Sequence, residues 1–240
     1  MLNDPRATGS GLWLLSAIAL VADSYAEALA YSEQSIEVAV TGIDRMTASE
    51  IKGCALVLLR RTEEGAALLE ENRQRCITNG YLIVLSGSDG VRGVCQVLRG
   101  NIALGIRFIK EAILQREKEG YRFPADWYRL LLAEVYLQVI AGNEKLPTPS
   151  LLRNLPVLLK VIVTAPSHIR ALITHALQNP HFDPAGHHVG RAKMTLGLLY
   201  KTKKSSLALQ HLTEARRILS QFGQTPILAR VETALAELGQ

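Results

Sequence analysis

Apolar residues recur at helical spacing from near the start of this chain to its end. In the stretch 191–223, RAKMTLGLLYKTKKSSLALQHLTEARRILSQFG, Leu196, Gly197 and Tyr200 share one face, and Ala208, Leu212 and Ala215 repeat at i, i+4, i+7. Such a stripe has to be covered if the helix is to persist in a globular protein. Between the two helices Ser205 and Ser206 can cap the second by accepting from open backbone N–H groups. The same reading predicts helices over 11–22, 25–40, 47–61, 63–79, 90–98 and 101–119, and from Pro124 to Gly142. Residues 1–10, polar with Pro5 and Gly9, are expected to be a flexible N-terminus. The rest, 11–240, reads as a single domain with an atypical insertion at 143–180, where prolines separate a helix at 151–163 from another at 168–179. The segment 155–163 is apolar nearly all round, which predicts an interior position. A last helix, 227–238, follows Thr225–Pro226.

These helices come in pairs with a period. Gly42, Gly80 and Gly120 each close a second helix, where glycine can adopt the left-handed cap conformation. Glu33, Glu71 and Glu111 stand at the same distance before those glycines, as Glu214 does before Gly223. Leu132, Ala133 and Tyr136 match Leu196, Gly197 and Tyr200. Two-helix repeats of 34 to ~45 residues give such periods, and the order L-G-x2-Y, turn, A-x3-L-x2-A resembles the tetratricopeptide repeat (TPR). The expected fold is therefore all-α: a TPR-like α-solenoid of antiparallel helix hairpins, about five pairs plus a C-terminal capping helix. Small residues such as Gly197 and Ala208 would let the paired helices nest.

Composition agrees with that plan. The chain is 48% hydrophobic but only 5% aromatic, which favours helix-on-helix packing over a β-sandwich. A net charge of +5, from 27 basic and 22 acidic residues, is mild beside that of a dedicated nucleic-acid binder. Arg191, Lys193, Lys201, Lys203 and Lys204 do gather in the 191–204 segment. That cluster supports an alternative reading, a nucleic-acid-associated helical regulatory domain, but no aromatics are interleaved for base stacking, and a solvated face is favoured. The apolar run Leu12–Ala22 is too short to span a bilayer, and no basic leader precedes it, so no membrane partner and a cytoplasmic location are expected. Cys54, Cys76 and Cys95 have neither disulfide nor zinc spacing.

Few residues suggest chemistry. His181, Asp183, His187 and His188 resemble a metal cluster in content but not in spacing, and Asp183–Pro184 reads more simply as a helix start. Gly87, Gly90 and Gly93 lack the lysine and serine of a phosphate loop and read as close-packing or helix-weakening positions. Ser86, Ser88 and Asp89 have no histidine nearby to make a nucleophile. No catalytic residue, cofactor or metal site is expected, and the chain is not expected to be an enzyme.

WYRLLLAEVYLQ (127–138), LLRNLP (151–156), NPHFD (179–183), LGLLYK (196–201) and QFGQTPILAR (221–230) resemble the helical-repeat region at the C-terminus of multidomain bacterial class III adenylate/guanylate cyclases. The likeness covers about residues 90–240. It implies a role in regulation or protein contact, with a protein or peptide partner, a cyclase domain among the candidates. A homo-oligomer is also compatible. The paired aspartates that a cyclase needs for its two metal ions have no counterpart, since Asp4, Asp23, Asp44, Asp89, Asp126 and Asp183 are scattered singly. In a repeat array the concave side, lined by outward positions of each first helix, is the expected working surface. Those positions are Trp127, Leu130, Glu134, Leu137 and Gln138 in one unit, and Arg191, Met194, Leu198, Lys201 and Thr202 in the other. Trp127 is the expected anchor.

Overall fold

In a computed structural model, which describes residues 4–142, 148–202, 205–223 and 225–239, the first helix already starts at Pro5. The Asp4 carboxylate accepts from the Arg6 N–H at 2.9 Å, and proline at the first helical position loses no hydrogen bond. This corrects the flexible N-terminus for residues 5–10. Gly9 is buried against Val38, and its carbonyl accepts from the Ser35 hydroxyl at 2.9 Å.

Helix α1 (Pro5–Val21) is followed by α2 (Tyr25–Val38), α3 (Gly42–Leu58), α4 (Thr62–Asn79) and the single turn α5 (Leu82–Leu85). Then come α6 (Asp89–Leu98), α7 (Ile102–Lys118), α8 (Arg122–Ala141), α9 (Thr148–Ala176), α10 (His187–Tyr200), α11 (Ser205–Leu219) and α12 (Pro226–Leu238). No strand occurs among the described residues, so the all-α expectation holds. Helices pack in consecutive pairs: α1 on α2, α3 on α4, α6 on α7, α8 on α9 and α10 on α11. First members also touch in succession, α1 to α3, α3 to α6, α6 to α8, α8 to α10 and α10 to α12. Each second member lies against the first member of the next pair, α2 on α3, α4 on α6, α7 on α8, α9 on α10 and α11 on α12.

Glycine is what brings two of the pairs together. A Cβ on Gly93 would fall 2.8 Å from the Gly105 carbonyl oxygen, and one on Gly105 would fall 2.5 Å from that of Gly93. Gly53 and Gly65 repeat the arrangement between α3 and α4, with Gly65 the tighter of the two against Val57 and the Gly53 carbonyl. In the α10–α11 pair the residue facing Gly197 is Leu212, 2.5 Å from a built Cβ, one turn beyond the expected Ala208.

Three boundaries differ from expectation, each for a local reason. Gly42 is not a left-handed cap but the first residue of α3, because the Thr41 hydroxyl accepts from the Asp44 N–H and starts the helix there. Left-handed glycines do follow α4, α7 and α8, at Gly80, Gly120 and Gly142. Helix α10 begins at His187, because Asp183 caps a separate turn by accepting from the Ala185 N–H. The two helices expected within 143–180 are one, α9, with Pro156 and Pro166 inside it. Each proline removes one hydrogen bond, but the helix continues where tertiary packing holds it. Here Val161, Ala165, Ile169, Ile173 and Ala176 are buried along one face. The opposite face corrects the interior expectation for 155–163: Leu155, Leu159, Ile162 and Val163 are 48%, 59%, 55% and 80% exposed.

Candidate functional site

The first helices converge so far that the turn after α1 meets α10. Asp23 takes a positive φ of 62° in that turn, which aims its chain back into the molecule. Arg191 Nη1 donates to Asp23 Oδ1 at 2.8 Å and Nη2 to Glu134 Oε2 at 2.9 Å, while Nε reaches the other Glu134 oxygen. The Tyr25 hydroxyl also donates to Asp23, and His187 Nδ1 lies 3.5 Å from Asp23 Oδ2. Arg191 is 2% exposed, the largest fully buried side chain described. A charge so deep persists only when paired and hydrogen-bonded. Two carboxylates hold it, and Arg230 lies near enough to act electrostatically on Asp23. Burial pushes the Asp23 carboxyl up to about 6, with Arg191 pulling it back down. Burial, then the positive charge of Arg191, pushes both His187 and His188 down to about 4. Beside this cluster lies a small cavity of about 180 Å³, walled by Tyr25, Arg60, Glu134, Gln138, Arg191 and Arg230 among others.

A second polar knot joins α3, α4 and α6. The buried Glu50 accepts from Asn72 Nδ2 at 2.6 Å, from Arg92 Nη2 at 3.0 Å and from the Ser88 hydroxyl. Arg92 also donates to the Leu69 carbonyl at 2.7 Å. Both knots pair the buried charges of Arg191 and Glu50, although Asp23 Oδ2, Asn72 Oδ1 and both ring nitrogens of His187 are left without a hydrogen bond.

Beside the second knot, α1, α3, α5 and the start of α8 line a half-open apolar cavity of about 500 Å³. Trp13, Ile43, Ile51, Ile83, Phe123 and Trp127 form much of its wall, and Asp44 and Glu50 also border it. Both indole N–H groups are enclosed without an acceptor.

The expected groove residues separate into four places. Trp127 lines the larger cavity, and Glu134, Gln138 and Arg191 line the smaller one. Leu130, Leu137 and Met194 are core residues, Leu198 is partly buried against the core, and Lys201 pairs with Glu237 of α12. Thr202 stands exposed just past α10. Of the basic cluster, Arg191 is buried, Lys193 pairs with Glu214 at 2.8 Å, and Lys203 and Lys204 lie outside the described residues. His187 and His188 sit edge-on to each other among Phe123, Phe182 and Phe222, whereas His181 and Asp183 are exposed. Among the described residues no group of three His, Cys, Asp or Glu side chains could hold a metal ion.

Reading the sequence missed Asp23, Tyr25 and Trp13. A usable signal was present: Glu134 is the one charge in the apolar run 130–137, and a charge on a face that must be buried asks for a partner elsewhere. The run Asn154–Ala176 also escaped notice. Its 23 residues include an 18-residue stretch of mean hydropathy 1.4 and are long and apolar enough by length and composition to cross a membrane, although one face of α9 packs on α8.

Comparison with protein-family models, with curated proteins and with solved structures finds no match to this chain.

Proposed function

We propose that the protein is a non-catalytic, TPR-like solenoid that makes protein contacts, and that its contact surface is the outer face of α9. The unbroken succession of first helices touching first helices supports the solenoid reading. The observation that carries the function is the stripe Leu155, Leu159, Ile162 and Val163, at i, i+4, i+7 and i+8, exposed along one helix. Apolar anchors at that spacing are how one helix receives another, and contiguous exposed apolar surface of this kind marks contact sites.

Charge narrows the partner. From 148 to 176 the sequence holds no Asp or Glu, while Lys160 and Arg170 are exposed beside the stripe. The fitting partner is an acidic, amphipathic helix. The likeness to repeat regions that follow cyclase domains makes a helix of such a domain the first candidate. Protein is favoured over nucleic acid because Arg191, Lys193 and Lys201, the basic residues described at 191–204, are all engaged in ion pairs with this chain's own carboxylates.

Panning a displayed library of amphipathic helices against the full chain tests this. Enriched sequences are expected to be apolar at i, i+3, i+4, i+7 and rich in Asp and Glu at the flanks. They should lose at least tenfold in affinity for Leu159→Glu/Val163→Glu, a change at exposed positions whose circular dichroism should match the parent. Peptides indifferent to that double substitution would overturn the reading. So would binding to phosphatidylglycerol vesicles that the same substitution abolishes, with no peptide enriched.

A further inference from the structure

The chain has two tryptophans, Trp13 and Trp127, and both line the cavity between α1, α3, α5 and α8. We infer that this cavity is a receptor site for an uncharged, largely apolar small molecule carrying a hydrogen-bond-accepting oxygen.

Size and shape come first. About 500 Å³ lies within the range of small-molecule sites, which are concave, apolar and furnished with few polar groups. In a half-open cleft of that volume the large apolar side chains face water in place of packed atoms, and a ligand supplies the missing dispersion contacts.

The charge class follows from the wall. No Lys, Arg or His is among its described lining residues, so an anion finds no counter-charge. Its two carboxylates are already engaged, Glu50 by Asn72, Ser88 and Arg92, and Asp44 by the Thr41 hydroxyl and by Ser10 at 3.4 Å. A cation would have to compete with those bonds. Burying an unpaired charge of either sign is far costlier than burying an uncharged group.

The accepting oxygen follows from the indoles. A buried N–H without an acceptor carries its full desolvation penalty, and the great majority of such groups in folded proteins are paired. Trp13 and Trp127 each have one. Neither N–H lies open to the cavity in this structure, so the inferred contact requires the ring to turn until a ligand carbonyl or ether oxygen becomes its partner. Trp127, 3% exposed and close to Phe123 on the same wall, is the donor we assign.

Entry is by the α5 side. Ile83 borders the cavity yet is 62% exposed, so it stands at the rim. No described lining residue belongs to α9, and this site therefore stands or falls apart from the contact surface proposed above.

The test uses the full chain and the uncharged dye N-phenyl-1-naphthylamine. Saturable binding at one site per chain is expected, with a change in intrinsic tryptophan fluorescence at the same midpoint. Ile83→Glu, at an exposed rim position, should weaken it at least tenfold with an unaltered urea midpoint. Benzophenone and diphenylmethane, alike in shape but differing in one oxygen, are then compared as competitors. In Trp127→Phe, which keeps an aromatic ring and loses the N–H, the ratio of their affinities should move about fivefold towards diphenylmethane, the worth of one neutral hydrogen bond. No saturable dye binding, or binding that ignores Ile83→Glu, would overturn the site. Displacement by decanoate or decylamine more strongly than by decan-1-ol would overturn the charge class, and an unmoved ratio in Trp127→Phe would overturn the donor.

Discussion

Arg191 shows how one side chain can tie residues that are far apart in the sequence. Its guanidinium joins the turn after α1 to α8 and α10, and burial at that junction, more than Arg191 itself, shifts the titration of the neighbouring groups. The signs can be worked out. His187 and His188 hold out against protonation down to about 4 in the native state, whereas in the unfolded chain they protonate near 6.5. Their contribution is present above pH 6.5 and is lost as the pH falls towards 4. Asp23 acts the other way: raised from 3.8 to about 6, it contributes stability below 3.8 that is lost as the pH rises through 6. At pH 5 each histidine therefore adds about 1.4 kcal/mol per pH unit to the slope of unfolding free energy, and Asp23 subtracts the same. Urea titrations at pH 4.5, 5.0 and 5.5 should show a slope shallower by about 1.4 kcal/mol per unit in His188→Phe and steeper by that amount in Asp23→Asn. Equal slopes in parent and variants would refute the assignment. None of this was legible from residue types alone. Asp23 reads as an ordinary turn acid, and its partner is 168 positions away.

At the scale of elements the sequence was far more informative. The helical stripes identified nearly every helix, because the period of apolar residues reports the face that must be covered. The glycines of α6 were read as either weakening that helix or packing it closely, and the contacts decide for packing. Gly93 lies against the Gly105 carbonyl, and Gly90 lies beneath the Tyr128 ring, where a Cβ would sit 2.2 Å from a ring carbon. Backbone cannot yield as a flexible side chain can, so Gly93→Ala should cost about 1–3 kcal/mol in urea unfolding. Gly87→Ala meets nothing within 4 Å and should be neutral or stabilising by up to about 1 kcal/mol. If Gly93→Ala costs no more than Gly87→Ala, in the turn before α6, interhelix approach is not the reason for glycine at position 93. What misled the reading was α9. An apolar run gives the right element but cannot say which side is covered, and proline was given too much weight as a terminator.

For the molecule as a whole, the pairwise order of contacts would allow an open rod, but the Asp23–Arg191–Glu134 cluster adds a long-range closure. Removing one partner of a buried ion pair leaves the others charged and unpaired, at a cost of about 3–5 kcal/mol. In Arg191→Met, hydrogen exchange should accelerate together around residues 20–25, in α8 and in α10, while α4 keeps its protection. Acceleration confined to α10 would mean that the clasp is incidental. The burial of Leu130, Leu137, Arg191 and Met194, expected on an open face, was not legible because no single segment of sequence shows which distant helices will meet.

The clasp also bears on synthesis. A ribosome adding ~5–20 residues per second releases hairpins in order, and each can fold on its predecessor. Asp23 nevertheless waits roughly 8–34 seconds at that pace before Arg191 is made. Until then the nascent chain carries an acid whose buried counter-ion has not been made, and the turn after α1 cannot be tied to α10.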